Sequence, residues 1–189
     1  MKTTLLICCL SAALFTECTT ASEPDDQTAA AQAAIAAFGG ALKAELTSAM
    51  QAGGPLNAIE VCHSRAQAIA EAVSSDSGMQ LARVSLRNRN PANAPNAWQT
   101  PVLQDFENRL AAGERADALT WQEVAETGGQ REFRLMKAIP TAGLCLACHG
   151  EAIAPPVAEK IAELYPEDKA TGFREGDIRG AFMVTKALD

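Results

Sequence analysis

The sequence predicts an α+β domain. Two observations carry that expectation: apolar residues recur at helical spacing over the N-terminal part of the chain, and beyond residue 80 they alternate with polar ones between Gly- and Pro-rich turns. Composition points the same way. Hydrophobic residues are 48% of the 189, yet only 6 Phe, 2 Trp and 1 Tyr are aromatic, and abundant alanine suits close-packed helices better than a large all-β sandwich. The linkers are short, so a single domain is expected, over residues 30–189.

Residues 1–21 read as a secretory signal. Lys2 gives a positive start, residues 5–15 are mostly apolar but too few to span a bilayer, and Thr19-Thr20-Ala21 offers small residues for cleavage before Ser22. The rival is lipoprotein processing with acylation at Cys18, although Glu17 suits that site poorly. No later segment is long and apolar enough to cross a membrane. Residues 22–29, polar and containing Pro24, read as a linker into the fold.

From residue 29 to about 51, Ile35, Phe38, Leu42, Leu46 and Met50 form one helical stripe. Gly53-Gly54 stops that helix and Pro55 suits the opening of the next, which runs to about Val73. On it Ile59, Cys62, Ala66, Ile69 and Val73 share a face, so Cys62 is expected to look inward. Residues 74–78 read as a polar turn. Residues 81–89 read as a strand, Val84 and Leu86 alternating with Arg83, Ser85, Arg87 and Arg89. Residues 90–96, with two Pro and three Asn, are a loop. Residues 102–110 are helical and closed by Gly113. Residues 119–126 and 132–139 are strands joined by the hairpin signal Thr127-Gly128-Gly129-Gln130. A short helix over 157–164 ends before Pro166, and a last strand covers 178–185.

With 23 acidic against 16 basic residues the net charge is −7, which argues against a nucleic-acid binder and names no partner. Cysteine is more telling. Signal removal takes Cys8, Cys9 and Cys18, leaving Cys62, Cys145 and Cys148, an odd number of thiols for an oxidising compartment.

Two of those thiols lie in Cys145-Leu146-Ala147-Cys148-His149. Covalent haem needs two thiols at fixed separation for its vinyl groups and a following histidine that reaches the iron, and this segment meets those demands. Gly150 then lets the chain turn away. The alternatives are a disulfide or half of a zinc site completed by Cys62 and His63. Export favours one haem c, because attachment of that kind takes place outside the cytoplasm, and it places the protein in the periplasm.

His149 then fills one axial position. Cys62, His63, Met50, Met79, Met136 and Met183 compete for the other, with a buried, merely hydrophobic Cys62 equally in view. Cys62 and His63 are about 100° apart on their helix, so they cannot both face one iron. Arg83, Arg87 and Arg89, on one strand face, and Arg134 with its neighbours Arg131 and Lys137 are candidates for the haem propionates, against the plainer reading of solvated strand faces. Trp98 is expected against an apolar surface, the porphyrin included.

Several segments resemble one bacterial family: Ala58-Ile59-Glu60-Val61-Cys62, Arg83-Val84-Ser85-Leu86-Arg87, the stretch from Arg89-Asn90-Pro91 to Ala97-Trp98, and Gly176-Asp177-Ile178-Arg179-Gly180-Ala181. It is the Tll-type single-haem c domain, long catalogued as a domain of unknown function and found both alone and as the extracytoplasmic part of membrane signalling proteins. The similarity spans about residues 30–187. It implies a PAS-like sensor fold whose iron is held by the motif histidine and a distant cysteine, here His149 and Cys62. The function so implied is sensing of redox state or of a small gas, NO or CO. The alternative is a periplasmic electron-transfer cytochrome with a redox partner protein, favoured by the want of an attached kinase or membrane segment. No enzymatic cluster of Ser/His/Asp or paired carboxylates can be read from the spacing.

Overall fold

A computed structural model describes residues 23–189. The signal sequence and Cys18 lie outside the described residues. Among those described, no helix is long and apolar enough to cross a membrane.

Helix α1 (Glu23–Ser77) contains the expected break, with Gly54 at φ +68° and Pro55 behind it. The two arms, residues 23–52 and 55–77, fold back on each other. Asn57 reaches across the break and donates to the Ala49 carbonyl at 3.0 Å, and a Cβ on Gly53 would meet the Asn57 side chain at 2.8 Å. The segment 23–29, expected as a linker, is helical. It leads without a breaker into the alanine-rich stretch that begins at Ala29, and Pro24 falls in the first turn, where a missing N–H costs nothing.

Four antiparallel strands follow: β1 (Gln80–Val84), β2 (Thr120–Thr127), β3 (Gln130–Pro140) and β4 (Ile178–Leu188), in the spatial order β1-β4-β3-β2. Gly128 and Gly129, both at positive φ, make the two-residue turn between β2 and β3. Alternation then sorts side chains between two faces. Phe133 and Leu135 of β3, with Leu81 and Val184, meet Ala31, Ile35 and Phe38 of α1. Met136 and Ala138, with Val84 and Ala181, meet Val102, Leu103 and Phe106 of helix α2 (Gln99–Ala111) on the opposite face. The result is three layers, helix on sheet on helix, an α+β arrangement as the periodicity predicts.

One strand is shorter than expected. β1 stops at Val84, so Leu86, Arg87 and Arg89 lie beyond the sheet and do not share a face with Arg83. The cause is local. The Ser85 hydroxyl donates to the Arg179 carbonyl (2.9 Å) and accepts from the Arg87 N–H (3.1 Å), while the Ser85 N–H turns to the Asn93 carbonyl (3.0 Å). These bonds compete with the ladder and lead the chain away.

Between β3 and β4 the chain leaves the sheet for residues 141–177. Thr141 N–H donates to Asp177 O (2.7 Å) and Gly176 N–H to Thr141 O (2.9 Å), which closes the base of this excursion. It carries α3 (Leu146–His149) and α4 (Pro155–Leu164). Val157 and Ile161 of α4 form a small separate core with Ile59 of α1, and Cys148 and Tyr165 pack against it.

Candidate functional site

The Cys-x-x-Cys-His segment sits on two successive tight turns. Cys145 ends a one-turn helix over Gly143–Cys145, and Cys148 and His149 fall in α3 directly after it. Residues three apart on such turns share a side, which puts both free thiols where one planar group can meet them. Gly150 is required by space. Its φ of −73° is open to any residue, but a Cβ there would stand 2.6 Å from the Leu146 carbonyl oxygen.

His149 is fixed by its surroundings. Nδ1 lies 2.7 Å from the Ala170 carbonyl, which can only accept, so Nδ1 carries the proton and Nε2 keeps a free lone pair. Phe173 stands edge-on to the imidazole, and its N–H donates to His149 O at 2.9 Å. Burial, reinforced by the positive Arg179 and Arg89, pushes the His149 pKa down to about 2, so the ring is neutral and able to donate to a metal at any working pH.

The expectation that Cys62 looks inward is corrected: the residue is exposed. On this arm of α1, Ala58, Ile59 and Ala70 take the buried positions. Cys62 lies near the motif, since Ile59, one turn before it, contacts α4, and Cys148 packs against that same cluster. Protein crowding around the thiol still raises its pKa, opposed by Arg83 and Arg89, and the charge of Cys62 is felt at Cys148. Two chain segments far apart in sequence thus bring three thiols and one imidazole to one locality. Among the described residues, no group of three or more His, Cys, Asp or Glu is gathered to hold a bare metal ion.

Three of the competing methionines are core residues of the sheet, whereas His63 stays beside the motif. Met79 and Met136 are core residues on opposite faces of the sheet, and Met183 packs against the α2 cluster. His63 stands edge-on to Tyr165, ring centroids 5.1 Å apart.

The arginines sort differently from the expectation. Arg134 is not at the site: it pairs with Glu123 and Glu132 on the hairpin and lies over the Trp98 ring. Trp98 itself stacks on Trp121, so its apolar surface is the hairpin. Arg87 covers the Phe173 ring, its guanidinium carbon 3.9 Å from the centroid. Arg89 holds Asp168 through two 3.1 Å bonds and also donates to the Cys148 carbonyl (2.6 Å) and the Ala170 carbonyl (3.2 Å). It braces the motif through Nε and Nη2.

Two basic groups do remain. Arg83, on β1, and Arg179, on β4, make no ion pair among the described residues, and both act electrostatically on His149. Burial lowers both, Arg179 to about 10, so Arg179 is still charged at neutral pH. Sequence reading missed Arg179 and Asp168. For Arg179 the signal was available in the Gly-Asp-Ile-Arg-Gly stretch, whose Gly180 admits the Val84 carbonyl within 2.4 Å of where a Cβ would be.

The donor set fits a haem: two thiols one turn apart, an imidazole with its outer nitrogen free, a third thiol nearby on α1, and two guanidinium groups without a carboxylate partner among the described residues, Arg179 held only by Ser85 Oγ, the Arg87 carbonyl and the Phe173 ring.

A family model described as Tll0287-like matches residues 17–186 of the chain. Among solved structures, the one titled as the crystal structure of the cyanobacterial heme-protein Tll0287 is similar at 27% identity and a TM-score of 0.61, over 88% of this chain and 96% of that one. No curated protein matches the chain. The chain belongs to the Tll0287-like family, in agreement with the resemblance carried by its motifs.

Proposed function

We propose that this member of the Tll0287-like family is an exported, PAS-like protein with one covalently attached haem c, and that it senses redox state or a small gas. The observation that carries this reading is the convergence of Cys62 from α1 with the Cys145–Cys148–His149 motif from the β3–β4 connection. Cys145 and Cys148 would hold the haem by thioether bonds, His149 Nε2 and the Cys62 thiolate would bind its iron, and Arg83 and Arg179 would pair with its carboxylates. When bound, the haem supplies a one-electron couple and an iron to which a small gas can add.

The protein's own residues divide the work unequally. His149 is held from behind by Ala170 and from the side by Phe173, so it is the fixed ligand. Cys62 comes from a separate segment, helix α1, so its release from the iron would be felt directly by that helix. The periplasm is the compartment that fits, since c-type attachment is an extracytoplasmic reaction. We assign no catalysis, because His149 is given to iron.

The test begins with mass spectrometry of the mature protein for one covalent haem. Cys62→Ser should then abolish the ferric thiolate spectrum; an unchanged spectrum would exclude Cys62 as ligand. Reduction with dithionite followed by CO should give a CO adduct. A ferrous form that stays six-coordinate and refuses CO would refute ligand release and leave a periplasmic electron carrier as the function.

A further inference from the structure

The brace behind the motif carries a second inference, which rests on the haem reading above. Arg89 and Asp168 are a buried pair, their side chains only 11% and 9% exposed. They lie on two loops that the sheet does not join, the one after β1 and the one after α4. Their position is specific. Nη2 of Arg89 shares its two hydrogens among Asp168 Oδ2, the Cys148 carbonyl and, at 3.2 Å, the Ala170 carbonyl, and the last is the oxygen that accepts from His149 Nδ1. Asp168 accepts from both arms of the Arg89 fork and from the Ala170 N–H at 2.9 Å.

We infer that Arg89 and Asp168 are positioning residues whose opposed charges set the electron density on His149, and through it the reduction potential of the haem. The argument is electrostatic. A carbonyl that already accepts from a guanidinium is a weaker acceptor for the imidazole N–H. Arg89 thereby limits the imidazolate character of His149, and an imidazole with less anionic character favours Fe(III) less. The Arg89 charge also favours the ferrous state directly, and the Asp168 charge opposes it. In so dry a place neither charge is screened as it would be at the surface.

The two partners must then act in opposite directions. In the purified haem-loaded protein, Arg89→Met removes the positive charge, strengthens the His149–Ala170 bond and should lower the midpoint potential. Asp168→Asn keeps an oxygen for the Ala170 N–H, leaves Arg89 uncompensated and should raise it. Arg89→Lys keeps the charge without the fork and should return the potential most of the way to wild type. A pair that only holds the loops together would give shifts of one sign for all three variants, since each breaks the same bonds. Potentiometric titration with optical detection reads the outcome. If Arg89→Met fails to mature, Asp168→Asn and Arg89→Lys decide. A raised potential in the first with a near-native one in the second supports the inference, and an unchanged or lowered potential in Asp168→Asn overturns it. A wild type without covalent haem would instead overturn the reading beneath it, before any potential is measured.

Discussion

Gly150→Ala should destabilise the domain although Ala is the better residue at most helical positions. The new Cβ would lie 2.6 Å from the Leu146 oxygen and 3.3 Å from the Leu146 Cβ. The near atom is backbone, so no rotamer change relieves the contact, and Gly150 or α3 must move. Such overpacking costs about 1–3 kcal/mol. The movement is tied to the site, because Gly172 N–H donates to Gly150 O and Phe173 N–H to His149 O. Gly40→Ala is the matched control: it is helical, has φ below zero and would meet nothing within 4 Å. That change should stabilise by roughly 0.5–1 kcal/mol. Urea unfolding of both variants, with equal m-values, gives the two signs directly, and the melting temperature should move by ~2–4 °C per kcal/mol. A Gly150→Ala protein as stable as wild type would refute the steric argument, and one stabilised like Gly40→Ala would show that the turn is freely adjustable.

Two adjacent residues of α2 give further tests. Phe106 is 0% exposed between the sheet and its helix, so Phe106→Ala should cost ~3–5 kcal/mol, read as an earlier urea midpoint. Glu107 has its carboxyl pKa raised, first by burial and then by Asp177, with Arg87 opposing. A raised folded-state value means that the native protein binds this proton more tightly than the unfolded chain. The penalty is therefore present above the folded pKa and absent below the ordinary value of 4.5. Glu107→Gln should be more stable than wild type at pH 7, with the difference closing as pH falls below 4.5. A gain that persists in acid would assign the effect to something other than the charge.

What repeats along the chain was legible. The Ile35–Phe38 stripe, the Gly53-Gly54 break, the Gly128-Gly129 turn and the alternation through Phe133, Leu135 and Ala138 each report a local period, and each element formed where its period lies. What failed depended on partners far away in sequence. Alternation ran on past Val84, but Ser85 found the Arg179 carbonyl, and a side chain's bond to a distant strand outweighed the local pattern. Arg87 and Arg89 looked like strand neighbours and instead serve Phe173 and Asp168. The motif could be read from the sequence because its residues are contiguous and at fixed spacing. Asp168 and Arg179 belong to the surroundings that orient them, where only three-dimensional proximity is fixed.

Cys62 shows why such a site resists periodicity. A helical stripe says which residues leave water, and it counted Cys62 with Ile59 and Ala66 on that basis. The arm of α1 meets two neighbours, however: the first arm and sheet on one side, and the β3–β4 connection on the other. Ile59, three residues before Cys62, packs on Val157 and Ile161 of that connection, and the thiol lies one turn further along the same side. A shift of Cys62 away from His149 would therefore strain the Ile59 contact within a turn, while the motif end is held by Arg89 and Ala170. Under the proposed ligand switch the arm over residues 55–77 would be the part displaced, against a first arm to which the Asn57–Ala49 bond, the Arg65–Glu45 ion pair and the packing of Ala70 all tie it.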